Sequence, residues 1–410
     1  MGIEQLDQVR VTGLDSIGER VRRFQDRLRS GREFGITYDL PTTPAGGAWI
    51  NLQGERLLDL TSYSYLGLVG HERIQQVAQS ALFEYGLGTQ GARLLSGTSP
   101  IHKKLEREIA IMKGTDDALT FSTGYATNAA VISTLVGRGD VVINDRYNHA
   151  SIVDGGILSG AKISRFKHND MNDLRRSLMK NLTSKARLVV VDAVFSMDGD
   201  IAPLPEIIQL CQDFDAWLMI DEAHSFGVIG DNGSGILSHF GLTSEVPLQM
   251  GTLSKTIPGM GGYLAGQQDV IDFLRHNARP YIFSAALPPS AAATAIAAFE
   301  VIRSEPERHD QLRRNVNCFS DLLKQEGFDL VNAETPIFPI HTGDDISAWR
   351  MSSECRSRGL FIMPIVPPAV PVQLSRLRAI VTSLHTREDL ELAAKVLGDS
   401  ARKIGLFEGN

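Results

Sequence analysis

Residues 216–230 read AWLMIDEAHSFGVIG, a short apolar run that ends in Asp221 and is followed by His224. The run predicts a buried β-strand over Trp217–Asp221. A carboxylate at the end of a central strand is costly unless it is paired. Asp221 therefore either contacts a ligand or caps the following helix, and His224 is either its companion in a site or a structural residue.

Four more short, β-branched runs lie between about residues 70 and 285, and helical segments separate them. This alternation predicts an α/β fold with a mostly parallel central sheet flanked by helices. Such sheets bind ligands at the carboxyl ends of their strands, so the polar residues at those ends are the candidates for a site. The predicted strands are Asp117–Phe121, Val141–Asn144, Leu188–Asp192 and Leu248–Thr252.

The composition and periodicity of the sequence divide the chain into three parts. Residues 1–55 predict an arm made of a helix over about 1–35 and a hairpin that turns at Gln53-Gly54. Residues 56–289 form the predicted large domain, and residues 290–410 predict a smaller α+β domain that begins with an Ala-rich helix. Its elements are predicted at Ser290–Arg303, Phe328–Val331, Ile337–His341, Ala379–Thr382 and from Arg387 onward, and those of the hairpin at Trp49–Leu52 and Arg56–Leu60.

The composition argues against nucleic-acid binding, metal binding and membrane insertion. The net charge of −7 over 410 residues argues against non-specific binding of nucleic acid, which needs a basic surface. The three cysteines (Cys211, Cys318 and Cys355) have neither the spacing of a metal site nor that of a disulfide framework, so we expect a reducing, cytoplasmic compartment and no metal. No run of about 18 apolar residues occurs, so we expect no membrane span.

The segment GTLSKTIPGMGGYLAG, residues 251–266, places Lys255 directly after a predicted strand, between the hydroxyls of Thr252 and Ser254. One interpretation is a lysine that forms a Schiff base with a phosphorylated carbonyl cofactor. The other is a solvated lysine in a Gly-rich loop. Both fit the motif taken alone. A dinucleotide site is disfavoured because no acidic partner follows GMGG at the required distance.

Neighbouring motifs supply what such a cofactor needs. A protonated pyridine nitrogen would pair with Asp221, and His224 would then reach the ring oxygen. His149, in NDRYNHASIVDGG, begins a predicted helix and could stack on a flat ring. Gly124 and Tyr125, in FSTGYATNAA, begin a helix whose free amides could hold a phosphate. VVVDAVFSMDGD adds Asp192 at a strand end and Ser196 in the next loop.

Together these motifs resemble the fold-type I pyridoxal-phosphate (PLP) enzymes, and more narrowly the α-oxoamine synthase family. The narrower resemblance rests on SYSYLGL (62–68), GARLLSGTSPIHKKLE (91–106), NHAS, FSMDGD, DEAHSFGVIG, GTLSK and RLRAIVTSLHT. It spans about residues 45–395. It implies a fold-type I PLP-dependent transferase with a smaller α+β C-terminal domain.

The resemblance also implies roles for particular residues. Lys255 would carry PLP as a Schiff base, Asp221 would pair with the pyridine nitrogen, His224 would contact the ring hydroxyl and His149 would stack on the ring. An arginine of RLR would bind the carboxylate of an amino acid, and Arg378 is favoured over Arg376. The other residues implied to bind the cofactor are Ser122, Gly124, Tyr125, Asp192, Ser196, Thr252, Ser254 and, from a partner subunit, Ser284; those implied near the substrates are Tyr63 and Ser64.

The implied activity is a decarboxylative Claisen-type condensation of serine, alanine or glycine with an acyl thioester of coenzyme A or of an acyl carrier protein. The products are an α-amino ketone, CO₂ and a free thiol, and the enzyme would be a homodimer with shared active sites. Two alternatives stay open. An aminotransferase of the same fold is disfavoured by GARLLSGT and RLR, and a non-catalytic partner subunit is disfavoured because such subunits lose the lysine.

Five positions depart from the pattern of the family. Members that use alanine or glycine usually have Asn at Tyr63, and the serine palmitoyltransferase form has Asn at Ser64. The family usually has Glu at Asp192, many members have Gly at Pro258, and Gly is often found at Gln373. These positions lie in motifs near the expected substrates. They therefore leave the amino acid and the acyl donor undetermined.

Overall fold

The computed structural model describes residues 3–243, 245–330 and 333–407, with the backbone alone for residues 3–16. The N-terminal arm consists of helix α1 (Ile3–Glu33) and strands β1 (Thr42–Pro44), β2 (Trp49–Leu52) and β3 (Glu55–Asp59). The hairpin turns at Gln53-Gly54, where both residues have positive φ. Its second strand begins one residue earlier than predicted, because Leu52 pairs with Glu55 across a two-residue turn.

The central sheet contains all five predicted strands and two others. Its strands are β4 (Asp117–Phe121), β5 (Val141–Asp145), β6 (Lys162–Phe166), β7 (Arg187–Asp192), β8 (Trp217–Asp221), β9 (Leu248–Thr252) and β10 (Gly262–Gly266). They lie in the order β4-β10-β9-β8-β7-β5-β6. Only β10 runs antiparallel to its neighbours, so the predicted mostly parallel sheet is confirmed.

Helices cover both faces of this sheet. The helices of this part of the chain are α2 (Glu72–Tyr85), α3 (Pro100–Lys113), α4 (Gly124–Leu135), α5 (Ala150–Ser159), α6 (Met171–Lys180), α7 (Leu204–Asp213), α8 (Ile236–His239), α9 (Gln268–Asn277) and α10 (Arg279–Ile282), and α3, α4, α5, α6, α7 and α9 pack against strands of the sheet. Alternate residues of one strand enter different cores: Val189 and Val191 pack on one face, and Val190 packs on the other. Two buried faces explain why the strands are continuous apolar runs.

The C-terminal part is α+β, as predicted. Its elements are α11 (Pro289–Ser304), α12 (Glu307–Gln325), β11 (Ile337–Gly343), α13 (Asp345–Ser357), β12 (Leu360–Phe361), β13 (Pro364–Ile365), β14 (Ser375–Ile380) and α14 (Arg387–Lys403). Strands β11, β14 and β13 form an antiparallel sheet. β14 begins before the predicted segment Ala379–Thr382 and includes Arg376 and Arg378. Residues 328–330 form no strand, and Val331 lies outside the described residues.

Two contacts cross the predicted domain limits. β12 pairs with β3 of the arm in parallel, and α11 packs on α2 and α3. The limits at residues 55 and 289 stay a prediction. No helix in the described part of the chain contains a stretch that is long and apolar enough to span a bilayer.

Candidate active site

The carboxyl ends of β7, β8 and β9 meet at one edge of the sheet. Asp192 pairs in register with Asp221, so two carboxyls lie side by side there. A cavity of about 270 Å³ opens at this edge. Its lining contains ten of the residues singled out by sequence: Gly124, Tyr125, His149, Asp192, Ser196, Asp221, His224, Thr252, Ser254 and Lys255.

Asp221 is buried, and it receives two hydrogen bonds. The side-chain amide of Asn128 donates to Oδ2 at 2.7 Å, and the backbone N–H of Ala223 donates to Oδ1 at 2.9 Å. These donors fix the orientation of the carboxyl. Sequence reasoning missed Asn128. Its only signal is an amide placed one helical turn after Gly124, directly before the apolar run AAVI of the same helix.

The start of α4 faces the lysine loop. Thr123 caps the helix by accepting a hydrogen bond from Ala126 N at 3.0 Å. The hydroxyls of Thr252 and Ser254 are 2.9 Å apart. A Cβ on Gly124 would lie 3.0 Å from Thr252 Oγ1, so glycine allows the helix to start close to β9. The free amides and the paired hydroxyls form a cradle for an anion.

Lys255 projects into the cavity beside the two carboxyls. Its Nζ lies 5.8 Å from the centre of the Tyr63 ring. Burial lowers the pKa of its amine from 10.5 to about 8, although Asp221 and Asp192 oppose this shift. A lysine in this environment is far more often neutral than a solvated lysine.

Two imidazoles form other walls of the cavity. His224 accepts or donates a hydrogen bond at Nδ1 with the hydroxyl of Tyr65, 2.7 Å away. His149 caps α5, and its Nδ1 lies 2.7 Å from Ser151 Oγ. Burial lowers the pKa of His224 well below its ordinary value, with the charge of Lys255 acting in the same direction. Burial also lowers the pKa of His149, despite the nearby Asp221.

Asp192 differs from its neighbour Asp221. Its Oδ2 accepts a hydrogen bond from His149 N at 3.1 Å, whereas its buried Oδ1 has no partner among the described residues. Burial, and then the adjacent Asp221 carboxylate, raise the pKa of Asp192 well above its ordinary value. This carboxyl is therefore poised to be neutral and to donate a hydrogen bond.

The two arginines of β14 have different environments. Arg376 is buried, forms an ion pair with Asp198 and donates to Met197 O at 3.2 Å. Arg378 is half-buried, donates to Ser196 O at 2.9 Å and contacts the hydroxyl of Tyr63. Arg378 is therefore the arginine next to the cavity. Arg376 instead binds Met197 and Asp198 in the loop that carries Ser196.

The sequence singled out five residues that are not in the cavity lining. Tyr63 connects to it through two side chains, because its ring centre lies 5.8 Å from Lys255 Nζ and 5.2 Å from Arg378 Cζ. Arg378 connects to it through Ser196. The buried hydroxyl of Ser64 has no partner among the described residues. Ser122 and Ser284 also lie outside the lining, and the roles of all five stay predictions.

The donor set fits a flat, phosphorylated pyridine ring. The cavity combines an anion cradle, the Asp221 carboxyl, an amine whose pKa is lowered, and Asp192 Oδ1, which has no partner among the described residues and can bind a ligand. Within the described residues no group of three or more His, Cys, Asp or Glu side chains could hold a metal ion.

Comparisons with known proteins agree with this geometry. The family model for aminotransferases of class I and II matches residues 55–397. The 8-amino-7-oxononanoate synthase 1 of Bacillus velezensis is 43% identical over 360 residues, which cover 88% of this chain and 92% of that protein. The serine palmitoyltransferase of Sphingobacterium spiritivorum is 40% identical over 381 residues, which cover 92% and 95% of the two chains.

The fold itself matches a solved structure. The serine palmitoyltransferase of S. paucimobilis, bound to a PLP–myriocin aldimine, superposes with a TM-score of 0.91 at 31% identity. The match covers 95% of this chain and 99% of that one. The predicted fold class is thus confirmed. The chain belongs to the α-oxoamine synthase family of fold-type I PLP enzymes.

Proposed function

We propose that this protein uses PLP to condense a small amino acid with an acyl thioester, with loss of CO₂, to give an α-amino ketone. The observation that carries the proposal is that Lys255, a potential base, and Arg378, a potential carboxylate receptor, both lie over the Tyr63 ring, 5.8 Å and 5.2 Å from its centre. An amino acid held by its carboxylate at Arg378 would direct its α-carbon toward Lys255.

The start of α4, the lysine loop, Asp221 and the two imidazoles would together hold the cofactor. The amides at the start of α4 and the hydroxyls of Thr252 and Ser254 would bind the phosphate. Asp221 would pair with the ring nitrogen, and the imidazoles of His224 and His149 would contact the ring oxygen and the ring face. When bound, PLP supplies an electron sink for the negative charge that develops at the α-carbon.

Lys255 would move the proton at that carbon. With the pKa lowered from 10.5 to about 8, the neutral fraction of the amine at pH 7 rises from about 0.03% to about 9%. A base whose pKa lies near the working pH combines a useful neutral fraction with enough basicity to remove a weakly acidic proton. The same amine, once protonated at Nζ, can return the proton after CO₂ has left.

Arg378 would orient the amino acid. A guanidinium has five N–H donors, and here Nη1 donates to Ser196 O and to Met197 Sδ while Nη2 donates to the hydroxyl of Tyr63. Two donors remain for a carboxylate, which suffices for a two-point ion pair. The Tyr63 ring, whose centre is 5.8 Å from Lys255 Nζ, would limit the size of the side chain beside the lysine, and the amino acid would be serine, alanine or glycine. The acyl donor would be carried by coenzyme A or by an acyl carrier protein.

A second copy of the chain would complete the site. Ser284 lies outside the cavity of its own subunit, on a loop that is bridged to the GARLLSGT segment through Ala92 and Ala285. These two segments expose large apolar side chains, with Leu95 82% and Phe283 75% exposed. Apolar groups so exposed are typical of a subunit interface. A homodimer would bury these side chains and bring Ser284 to the partner's cavity. Sedimentation of the purified protein measures whether it is a dimer in solution.

The test begins with the cofactor. The protein purified with PLP should be yellow, and serine, alanine and glycine should be screened by the change each causes in the visible absorbance. The amino acid that binds is then combined with thioesters, and the product mass and the CO₂ released are measured. A colourless protein that cannot be reconstituted with PLP would refute the proposal.

The lysine is tested by substitution. Lys255→Ala should abolish both the visible absorbance of the bound cofactor and turnover, because the amine both anchors PLP and moves the proton. Lys324→Ala, which removes an exposed lysine on α12, is the matched control and should retain both. Normal turnover in Lys255→Ala would contradict the assignment.

A further inference from the structure

The hydroxyl of Tyr65 defines the protonation of His224. Tyr65 is completely buried, and within the described residues its hydroxyl makes one hydrogen bond, to His224 Nδ1 at 2.7 Å. Burial raises the pKa of this phenol well above its ordinary value, so the hydroxyl keeps its proton. If Nδ1 carried the hydrogen, the buried O–H would have no acceptor, which is penalised. The phenol therefore donates and Nδ1 accepts.

His149 is held in the same way by other groups. The backbone N–H of Ser151 points at His149 Nδ1 at 3.3 Å, and a backbone N–H can only donate. Ser151 Oγ lies 2.7 Å from the same nitrogen and itself accepts a hydrogen bond from Asn128 Nδ2 at 2.9 Å. The hydroxyl proton of Ser151 is thus free to point at the imidazole. The backbone contact requires Nδ1 of His149 to be an acceptor, and the hydroxyl can donate to the same nitrogen.

We propose that Tyr65 and Ser151 are positioning residues that hold His224 and His149 as neutral imidazoles with the hydrogen on Nε2. Each imidazole would then present an N–H donor, rather than a lone pair, to the cavity. Neither would serve as the base, and that role would fall to Lys255. The catalytic meaning of this arrangement rests on the proposed function, whereas the tautomers themselves are a property of the protein.

Two N–H donors in a partly closed cavity suit a reaction in which negative charge appears on oxygen. One donor would face the ring oxygen of the cofactor and the other the reacting substrate. Donors that are oriented before the reaction stabilise such charge more than water does, because they need no reorganisation. Fixing the tautomer is the simplest way to keep the donor and exclude the competing acceptor form.

The tautomers can be observed directly in the full-length protein by ¹⁵N NMR with labelled histidine, with and without PLP. The His224 and His149 signals are assigned from the spectra of the His224→Gln and His149→Gln variants. At pH 7.5 both residues should show an unprotonated Nδ1 and a protonated Nε2. An Nδ1–H form or an imidazolium at either residue would overturn the proposal.

Tyr65→Phe tests the cause at His224. The variant keeps the buried ring and removes the donor, so the His224 signals should move toward a mixture of tautomers while those of His149 stay unchanged. Turnover should fall roughly 10- to 100-fold, the scale for loss of the outer partner of an active-site histidine. Tyr263→Phe is the matched control, because Tyr263 is also fully buried and its hydroxyl has no partner among the described residues. Unchanged His224 signals in folded Tyr65→Phe would overturn the proposal.

The two proposals fail separately. If the NMR signals show the predicted tautomers but no thioester yields a condensed product, the positioning role stands and the proposed reaction falls. If the protein makes the product while either imidazole carries its hydrogen on Nδ1, the reaction stands and the positioning role falls.

Discussion

Exchange of Arg378 for lysine should weaken binding of the amino acid, and exchange of Arg376 should not. Arg378→Lys keeps the positive charge but replaces a planar fork with a single ammonium group, so a two-point ion pair becomes a one-point contact. The hydrogen bond lost is to a charged group and contributes about 1.5–3 kcal/mol. At 1.4 kcal/mol per tenfold, this corresponds to a roughly 10- to 150-fold rise in the dissociation constant.

The matched control is Arg376→Lys on the same strand. Arg376 is buried and engaged by Asp198 and by the carbonyls of Leu374 and Met197, so its loss should lower the free energy of unfolding rather than the affinity for the amino acid. Amino-acid binding is measured by the change in cofactor absorbance, and unfolding is measured in urea. If Arg378→Lys binds within threefold of the original protein and Arg376→Lys loses binding, the carboxylate belongs to Arg376.

Three more outcomes follow from the ionisable groups. The kcat should rise with pH along a single ionisation near pH 8, because Lys255 must be neutral to take a proton. Below that pH the amine is protonated and cannot act as the base. A flat kcat profile from pH 6.5 to 9 would exclude Lys255 as the base. Asp192→Asn should retain turnover within about threefold, because a neutral carboxyl resembles an amide and the pKa of Asp192 is raised. Asp221→Asn should lose turnover about 100-fold or more, because the amide would no longer keep the ring nitrogen of the cofactor protonated. For His168, burial lowers the pKa, but hydrogen bonds to its two aspartate partners outweigh burial and raise the pKa to about 10. Its ion pairs should therefore stabilise the fold fully below about pH 6.5 and lose that contribution as the pH rises through about 10, so the unfolding difference between His168→Gln and the original protein should shrink between pH 6.5 and 10.5.

The sequence predicts those strands whose own residues show a clear apolar run. β7 and β8 are buried on both faces, so they read as uninterrupted apolar runs, and a polar residue marks the end of each. Sequence reasoning missed β6 because three of the five residues of this edge strand, KISRF, are polar, so it is not an apolar run. It also missed β10, whose sequence GYLAG looks like a continuation of the Gly-rich lysine loop. Glycine has low strand propensity, but here two hydrogen-bonded neighbours hold the strand.

The same distinction applies to the site. Residues at strand ends could be found, because the sheet geometry brings those ends together. The residues that control them could not, because Asn128 and Tyr65 reach Asp221 and His224 across 93 and 159 residues of chain. Such pairs depend on how α4 and the SYSYLGL segment pack against the sheet. The two arginines likewise differ because Arg376 contacts Met197 and Asp198, a long-range contact that the sequence does not show.

The paired carboxyls at the sheet edge show how register assigns chemistry. Asp192 and Asp221 are neighbours because β7 and β8 are parallel and in register, so both ionising at once would be unfavourable. Asp221 accepts hydrogen bonds from two donors and Asp192 from one, so the two carboxyls have different environments. Aspartate is one methylene shorter than the glutamate that the resemblance to the family leads us to expect at position 192, and its buried Oδ1 has no partner among the described residues. That oxygen can then meet a ligand as a neutral O–H, while its neighbour supplies the negative charge that a ring nitrogen requires.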